Sequence, residues 1–444
     1  MAKPDQKKEP VGAFEVQVRG FITRPQRRES DADMERLMII MPANTYRAQR
    51  FITAAIELGV EVTVATDSDF SPPDPTKNVI DGISFCDPKS AGRALGEIAI
   101  EKGIKKAIAI DEGGVEVAAW TQATISNLSS PPIGTLVSRD KANLRKTLTA
   151  AGVPQPTMHQ VIKGEQLEQF SENDFPLIVK PSKGSGSIGV VRADNLKELK
   201  EALEITDLVI SEMALNDQVT LIESYIGGTE FAVELLVVEG KVHVLAIFEK
   251  PDPLEGPYFE ETIYITPPRI SKSDYEAIVA SMDLCIKALD ISNGPMHIEV
   301  RVRPDGVVFP IDIATRSIGG NCSDVLNFDG MVSLETLIIS NALNLEMPNI
   351  SREKQASGVY MIPVDDRGYL REISGLHDAE RVGFIESISI TAAIGNHYRP
   401  VPYDNKYLGF IFAKAPTSAL VEAALRKARK RLNIVYSPSK SELV

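Results

Sequence analysis

The sequence predicts a mixed α/β and α+β chain. A doubly wound α/β domain occupies 34–138, a β-rich domain 139–345 and a small α+β domain 346–444, behind a flexible tail at 1–33. Three observations carry this prediction. Strand and helix patterns alternate from residue 36 to about 127, which implies a parallel sheet with right-handed crossovers. From 139 onward the pattern turns to apolar strands broken by glycine and proline. The last hundred residues hold three further strand candidates and a closing helix.

The bulk numbers agree with several packed units. A chain of 444 residues exceeds what one hydrophobic core supports. Apolar residues make up 43% and charged residues 25%, the balance of a globular protein. A net charge of −13 argues against nucleic acid or an anionic membrane as partner, because polyanions are met by basic surfaces. Cys86, Cys285 and Cys322 are few and widely spaced, so neither a disulfide framework nor a zinc motif is expected. With no apolar run near the roughly 20 residues of a membrane span, and no signal-peptide core at the N-terminus, the expected compartment is the cytoplasm.

The elements follow in order. The tail is rich in Lys, Glu, Gln, Asp and Pro, although VGAFEVQVRGFI (11–22) has the makings of a short strand. RLMIIM (36–41) is an apolar strand, and 47–58 is a helix whose Phe51, Ala54, Ala55 and Leu58 share a face. VEVTVA (60–65) is the next strand. A helix near 91–102, the strand 105–111 and a helix from about 114 to 127 continue the alternation. The helix 139–151 ends at Gly152 and the prolines behind it. At the C-terminal end, 357–364, 386–394 and 407–414 read as strands and 416–432 as a basic helix. Arg426, Lys427, Arg429, Lys430 and Arg431 on that helix read as a solvated face with favourable dipole interactions.

The chemistry concentrates in the middle. FPLIVKPSKGSGSIGVV (175–191) delivers Lys180 from a buried strand into a loop of Lys183, Gly184, Ser185, Gly186 and Ser187 that ends at Gly189. Small residues let backbone N–H groups close around phosphate oxygens, and the lysine adds a fixed charge. The spacing is not that of a P-loop, and alone such a loop is an ordinary hairpin. Its neighbours change the reading. SRDKANLRKTL puts Lys141 at a helix start upstream. Downstream, VTLIESYIGGTEFAVELLVV gives a strand ending in Glu223, a short connection, and a second strand carrying Glu230. Exposed backbone groups on such a link can pair with an adenine edge, and a carboxylate a few residues on can accept ribose hydroxyls.

In GPMHIEVRVRPDGVVFPIDIATRSIGG (294–320), alternation puts Ile298, Val300 and Val302 on one face and His297, Glu299, Arg301 and Arg303 on the other. Arg-Pro-Asp-Gly turns the chain, and the returning strand is expected to bury Phe309, Ile311 and Ile313. Asp312, Ala314 and Arg316 then point the opposite way. Glu299 and Asp312 would lie near each other on one side of the hairpin, a donor pair suited to Mg²⁺, with Mn²⁺ as substitute. Arg316 suits a carboxylate or phosphoryl oxygen.

Taken together, Lys141, Lys180 with its glycine loop, Glu223, Glu230, Glu299, Asp312 and Arg316 resemble the ATP-grasp superfamily. PANTYRAQRFITAAIELGVEV near the start and YLGFIFAKAPTSALVEAALRKA near the end resemble its amino-acid ligase branch. The resemblance implies an ATP-grasp fold and an ADP-forming carboxylate–amine ligase that works through an acyl phosphate. It implies ATP and Mg²⁺, small-molecule carboxylate and amine substrates (amino acids by the branch), and a homodimer as the related assembly. By the same resemblance Lys141 and Lys180 hold the α- and β-phosphates, and the loop 183–189 covers the γ-phosphate. Glu223 with the backbone of Tyr225 and Ile226 reads adenine, while Glu230 binds ribose. Glu299 and Asp312 hold Mg²⁺, and Arg316 with Lys180 acts on the reacting groups. Lys250, Glu261 and Tyr264, on the long connection 248–268, are substrate candidates by analogy. Tyr46 and Arg47, after the first strand, are weaker ones.

One departure stands out. The second metal motif usually reads Glu-x-Asn-x-Arg, and here it reads Asp312-Ile-Ala314-Thr-Arg316, which puts a second Mg²⁺ in question. Cys322 lacks a basic neighbour in sequence and reads as a buried thiol. His297 is equally a substrate contact or a structural histidine. Two other functions stay open: a carboxylase-like or formate-activating enzyme of the same superfamily, and a non-catalytic ATP-binding regulator.

Overall fold

The computed structural model describes residues 34–43, 45, 47–67, 78–161, 167–212 and 219–439. The tail, with its strand candidate at 11–22, and Tyr46 lie outside the described residues. The chain divides into two compact units, 1–131 with 335–346, and 132–334 with 347–444.

In the first unit, β1 (Arg36–Met41), β2 (Glu61–Thr66), β3 (Val79–Ile80) and β4 (Lys106–Ala109) form a sheet of order β3-β2-β1-β4. Every pairing is parallel. Helices α1 (Ala48–Glu57) and α2 (Pro88–Glu101) connect β1 to β2 and β3 to β4, and α3 (Val115–Ile125) follows β4. All but the first residue of β1 is buried, as expected of a parallel strand covered on both faces. α2 starts at Pro88, earlier than its apolar spacing suggested, because the Asp87 side chain accepts from Ser90 N at 3.2 Å and caps the first turn. The helix Leu334–Leu343 contributes its residues from 335 to this unit, and Arg50 Nε donates to Glu335 at 3.3 Å. Its Leu337, Ile338 and Ile339 are buried, so the segment follows its apolar face rather than its neighbours in sequence.

The second unit begins with α4 (Ile133–Ser138) and α5 (Lys141–Ala150). Strands β5 (Met158–Val161), β6 (Leu177–Pro181), β7 (Val191–Ala193) and β8 (Thr220–Ser224) form an antiparallel sheet of order β5-β8-β6-β7, backed by α6 (Leu196–Glu212). Leu177, Val179, Val191 and Ile222 pack with Leu199 and Ala202 of that helix. Alternation therefore turns Lys180 and Glu223 to the opposite face, and the register sets Ile178 opposite Glu223.

The larger sheet contains β9 (Thr229–Val238), β10 (Lys241–Glu249), β11 (Ile263–Thr266), β12 (Gly294–Val302) and β13 (Val308–Ala314). Phe231, Val233, Leu235, Ile298, Val300 and Val302 face α7 (Lys272–Leu289), whose Ile278, Met282 and Ile286 complete the core with Leu144 and Leu148 of α5. The opposite face carries Glu230, Glu234, His297, Glu299 and Arg301 in register, with Arg301 opposite Glu230 and His297 opposite Glu234.

A two-residue hairpin, β14 (Asn327–Phe328) and β15 (Val332–Ser333), leads away. β16 (Ala356–Ile362) then returns to the same sheet, as do β18 (Ile385–Ile390) and β20 (Gly409–Ala415), giving the order β13-β12-β9-β10-β11-β16-β20-β18. One eight-stranded sheet thus crosses residue 345, where the sequence suggested a domain boundary. β17 (Gly368–Ser374), β19 (His397–Tyr398) and β21 (Asn433–Ser437) form a small sheet of order β19-β17-β21, and α8 (Ser418–Arg429) packs Val421 and Leu425 onto Ile263, Ala356 and Ile411.

Candidate active site

Helix α5 supplies the first cation. Asp140 caps it by accepting from Ala142 N and Asn143 N, so the helix begins abruptly at Lys141. Lys141 Nζ donates to Gly184 O at 2.8 Å and lies 3.4 Å from Asp312 Oδ1. A single ammonium therefore joins the glycine loop to the acidic strand.

One turn on, Arg145 is buried and takes up Glu223, with Nε 2.9 Å from Oε1. Lys180 Nζ meets the other oxygen of the same carboxylate at 2.5 Å. Burial alone would raise the Glu223 pKa, but Arg145 and Lys180 overcome it and hold the group at about 2. For Lys180, burial outweighs the attraction of Glu223, Arg145 adds repulsion, and the pKa falls to about 8. The Glu223 carboxylate, expected at adenine, sits between these two cations and is 2% exposed. The connection after it is partly committed as well. Tyr225 N donates to Pro176 O at 3.0 Å, and Ile226 O accepts from Arg301 Nη1 at 2.8 Å. The Tyr225 ring lies between Arg192, 4.4 Å away, and Arg301, 5.1 Å away.

Lys183, Ser185 and Ser187 stand half-buried on the loop. Gly186 has φ +65°, and a Cβ there would come 2.3 Å from Asn405 Nδ2. Gly189, at φ +68°, donates its N–H to Pro402 O at 2.8 Å. The loop is thus held at one end by its own sheet and at the other by the turn 400–405.

Glu299 and Asp312 are direct cross-strand partners, as the alternation implied. The returning strand departs from expectation in its first half. A register shift opposite Glu299 and Val300 leaves Ile311 as an extra residue, so Val308 and Ile313 enter the core while Phe309 and Ile311 stay half-buried. Phe309 lies instead under the Arg303 guanidinium, 5.6 Å away.

Lys250 is the hub of the acidic cluster. Its Nζ lies 2.7 Å from Glu230, Glu261 and Glu299 alike. Burial would lower its pKa, but the three carboxylates raise it well above the ordinary lysine value. Burial raises Glu261 to about 7, helped by the charge of Glu299. Glu299 is held well below the usual carboxylate range: burial opposes ionisation, but Lys250 and His297 overcome it. Glu230 also accepts from Arg301 Nε at 2.8 Å, so the residue expected at ribose lies among the acids. Tyr264 is 3% exposed, with its hydroxyl 3.4 Å from Glu299 Oε1.

His297 lies between Glu234 and Glu299, at 3.7 and 3.9 Å. Burial lowers its pKa, yet the two carboxylates beside it produce a net rise. Arg316 Nη1 donates to Ser317 O at 3.0 Å, and its charge lowers the proton affinity of His297 and of the buried Arg139. Burial pushes the Cys322 thiol well above its ordinary pKa, which disfavours the thiolate. On the basic helix Arg426 pairs with Asp252 and Glu422 and Arg429 with Asp365, while Lys427, Lys430 and Arg431 stand exposed as the sequence suggested.

The donors suit a hard cation. Glu230, Glu261 and Glu299 present oxygens within 4.8 Å of one another, and Asp312 stands beside Glu299 on the next strand. Sequence reasoning gave no role to Arg145, Arg301 or Glu234. Each shared the parity or helical spacing of a named neighbour: Arg145 four residues after Lys141, Glu234 four after Glu230, Arg301 two after Glu299.

Two antiparallel β layers with a lysine, a glycine loop and acids between them define the ATP-grasp class of fold. The comparisons agree: an ATP-grasp domain model matches residues 173–325, and an L-amino acid ligase C-terminal domain model matches 360–437. The chain carries an ATP-grasp domain followed by an L-amino acid ligase C-terminal domain. The crystal structure of an L-amino acid ligase from Bacillus licheniformis superposes with a TM-score of 0.76 at 26% identity, over 91% of this chain and 99% of that one. An L-arginine-specific L-amino acid ligase of Bacillus subtilis is 23% identical over 264 residues, 57% of this chain and 62% of the relative. A D-alanine–D-alanine ligase of Flavobacterium psychrophilum is 29% identical over 184 residues, 37% and 54% respectively. The chain thus spans between 54% and 62% of these two curated relatives. Among the described residues no helix is long and apolar enough to cross a membrane.

Proposed function

We propose that this chain is an ADP-forming carboxylate–amine ligase that joins amino acids through an acyl phosphate. The observation that carries the reading is the position of Lys141, touching the glycine loop at Gly184 and the acidic strand at Asp312 with one ammonium group. Phosphate-binding backbone and metal-binding carboxylate are thereby within one side chain of each other.

In this reading Lys141 and Lys180 bind the phosphates, and the loop Lys183–Gly189 closes over the transferring group and excludes water. The Tyr225 carbonyl and Ile226 N–H, rather than the Glu223 side chain, face the base edge. Mg²⁺ would be held by Glu299 and Asp312, with Glu230 and Glu261 beside them, and would offset charge on the phosphoryl oxygens. Arg316 orients the substrate carboxylate for attack on the γ-phosphorus, and the incoming amine then attacks the acyl carbon, forming the amide and displacing phosphate. Catalysis is positioning plus electrostatics. Amino acids as both substrates follow from the ligases the chain resembles, and a homodimer is the assembly we expect.

The test is to incubate the protein with ATP, Mg²⁺ and mixed amino acids, following ADP release and searching for condensed products by mass spectrometry. ADP with a dipeptide is the expected result. ADP formed with bicarbonate or formate instead would favour the carboxylase-like alternative, and nucleotide binding without turnover would favour a regulator.

A further inference from the structure

The Arg145 guanidinium has five N–H donors, and the structure provides five acceptors for them. Nε donates to Glu223 Oε1 at 2.9 Å. Nη1 donates to Gln155 Oε1 at 3.0 Å and to Pro310 O at 3.4 Å. Nη2 donates to Glu223 Oε2 at 3.4 Å and to Ile311 O at 2.6 Å. The side chain is 2% exposed, so these bonds form away from solvent screening.

The two carbonyls matter most. Ile311 is the extra residue of the bulge in β13, and Pro310 precedes it. The bulge returns Asp312 to the polar face opposite Glu299. Without it, a slip of one residue would turn that carboxylate toward the core side. Bulge residues are left outside the regular ladder, so another partner must hold them. Arg145 does so while its other edge grips Glu223, the carboxylate that carries Lys180. Lys141, on the same face of α5, reaches Asp312 itself, so one helical turn grips consecutive residues of the acidic strand.

We propose that Arg145 is a positioning residue coupling the nucleotide layer to the metal-binding strand: it sets Lys180 through Glu223 and Asp312 through the Pro310–Ile311 carbonyls. The inference rests on the ligase reading above. It requires the geometry of a fork, since an ammonium retains the charge but cannot serve acceptors spread over two strands and a side-chain amide.

The experiment is calorimetric titration of a non-hydrolysable ATP analogue onto the full chain at several Mg²⁺ concentrations, with thermal unfolding as a folding control. Arg145→Lys is expected to weaken analogue binding about 10- to 100-fold and to raise the Mg²⁺ needed for half-maximal binding. Gln155→Ala, which removes one acceptor of the fork, shifts both in the same direction by less. Asp312→Asn, which removes a proposed Mg²⁺ ligand, raises the Mg²⁺ requirement. A folded Arg145→Lys protein with unaltered Mg²⁺ dependence overturns the coupling, whether or not nucleotide binding weakens. If Arg145→Lys does not fold, Gln155→Ala decides: no shift in either quantity overturns the proposal. A wild-type chain that binds no analogue at any Mg²⁺ concentration sinks the ligase reading itself and the coupling with it.

Discussion

Lys180 is a buried ammonium with one carboxylate to share and Arg145 competing for it, so it is poised to gain from a phosphate. Its pKa near 8 gives a signed prediction. Nucleotide affinity should fall as pH rises through about 8, when Lys180 loses its proton, and Lys180→Arg should remove that fall. Titrating the nucleotide from pH 7 to 9 checks it. Glu223 behaves oppositely. Its folded pKa of about 2 lies below the ordinary glutamate value of 4.5, so its stabilisation is full above the higher value and fades as pH falls through the lower. Glu223→Gln should cost about 3–5 kcal/mol at neutral pH, because Arg145 and Lys180 lose their counter-charge. The gap to wild type in urea unfolding should narrow between those two pH values. Lys141, Lys180, Glu299 and Asp312 were legible in the sequence because each sits beside a strong local pattern, a glycine loop or a strict alternation. Arg145 was not, since an arginine on an amphipathic helix looks the same whether it meets water or a buried carboxylate.

At the level of elements, α5 carries Lys141 and Arg145 on one side and Leu144 and Leu148 in the core on another. Leu148 is fully buried, so Leu148→Ala should lower stability by about 2–5 kcal/mol in chemical denaturation. Asp140→Ala, which removes the cap, should cost about 1 kcal/mol. If nucleotide affinity drops in the cap variant beyond its stability loss, the helix start positions Lys141; equal affinity would show that the lysine is held by its partners alone. Strand existence and parity were readable here, since period-2 burial is a local property. The bulge at Ile311 was not. It depends on how β13 pairs with β12, and the run Val308–Ala314 alternates equally well without it.

For the whole molecule, an α/β unit is followed by β-rich chain, and the two compact units do not follow sequence order. β16, β18 and β20 extend the sheet that begins at β13, and the helix Leu334–Leu343 packs into the first unit. Long-range strand pairing leaves no mark in local periodicity, so only the three-dimensional fold could reveal it. The consequence is a candidate site built from residues far apart in sequence, Lys141 to Asp312, on a helix and two β layers of one compact unit. Supplying one substrate amino acid with ¹⁸O in its carboxylate tests this account most directly. Attack of that carboxylate on ATP predicts one labelled oxygen in the phosphate released with each dipeptide and ADP. Unlabelled phosphate, or ADP formed at the same rate without amino acids, would contradict it.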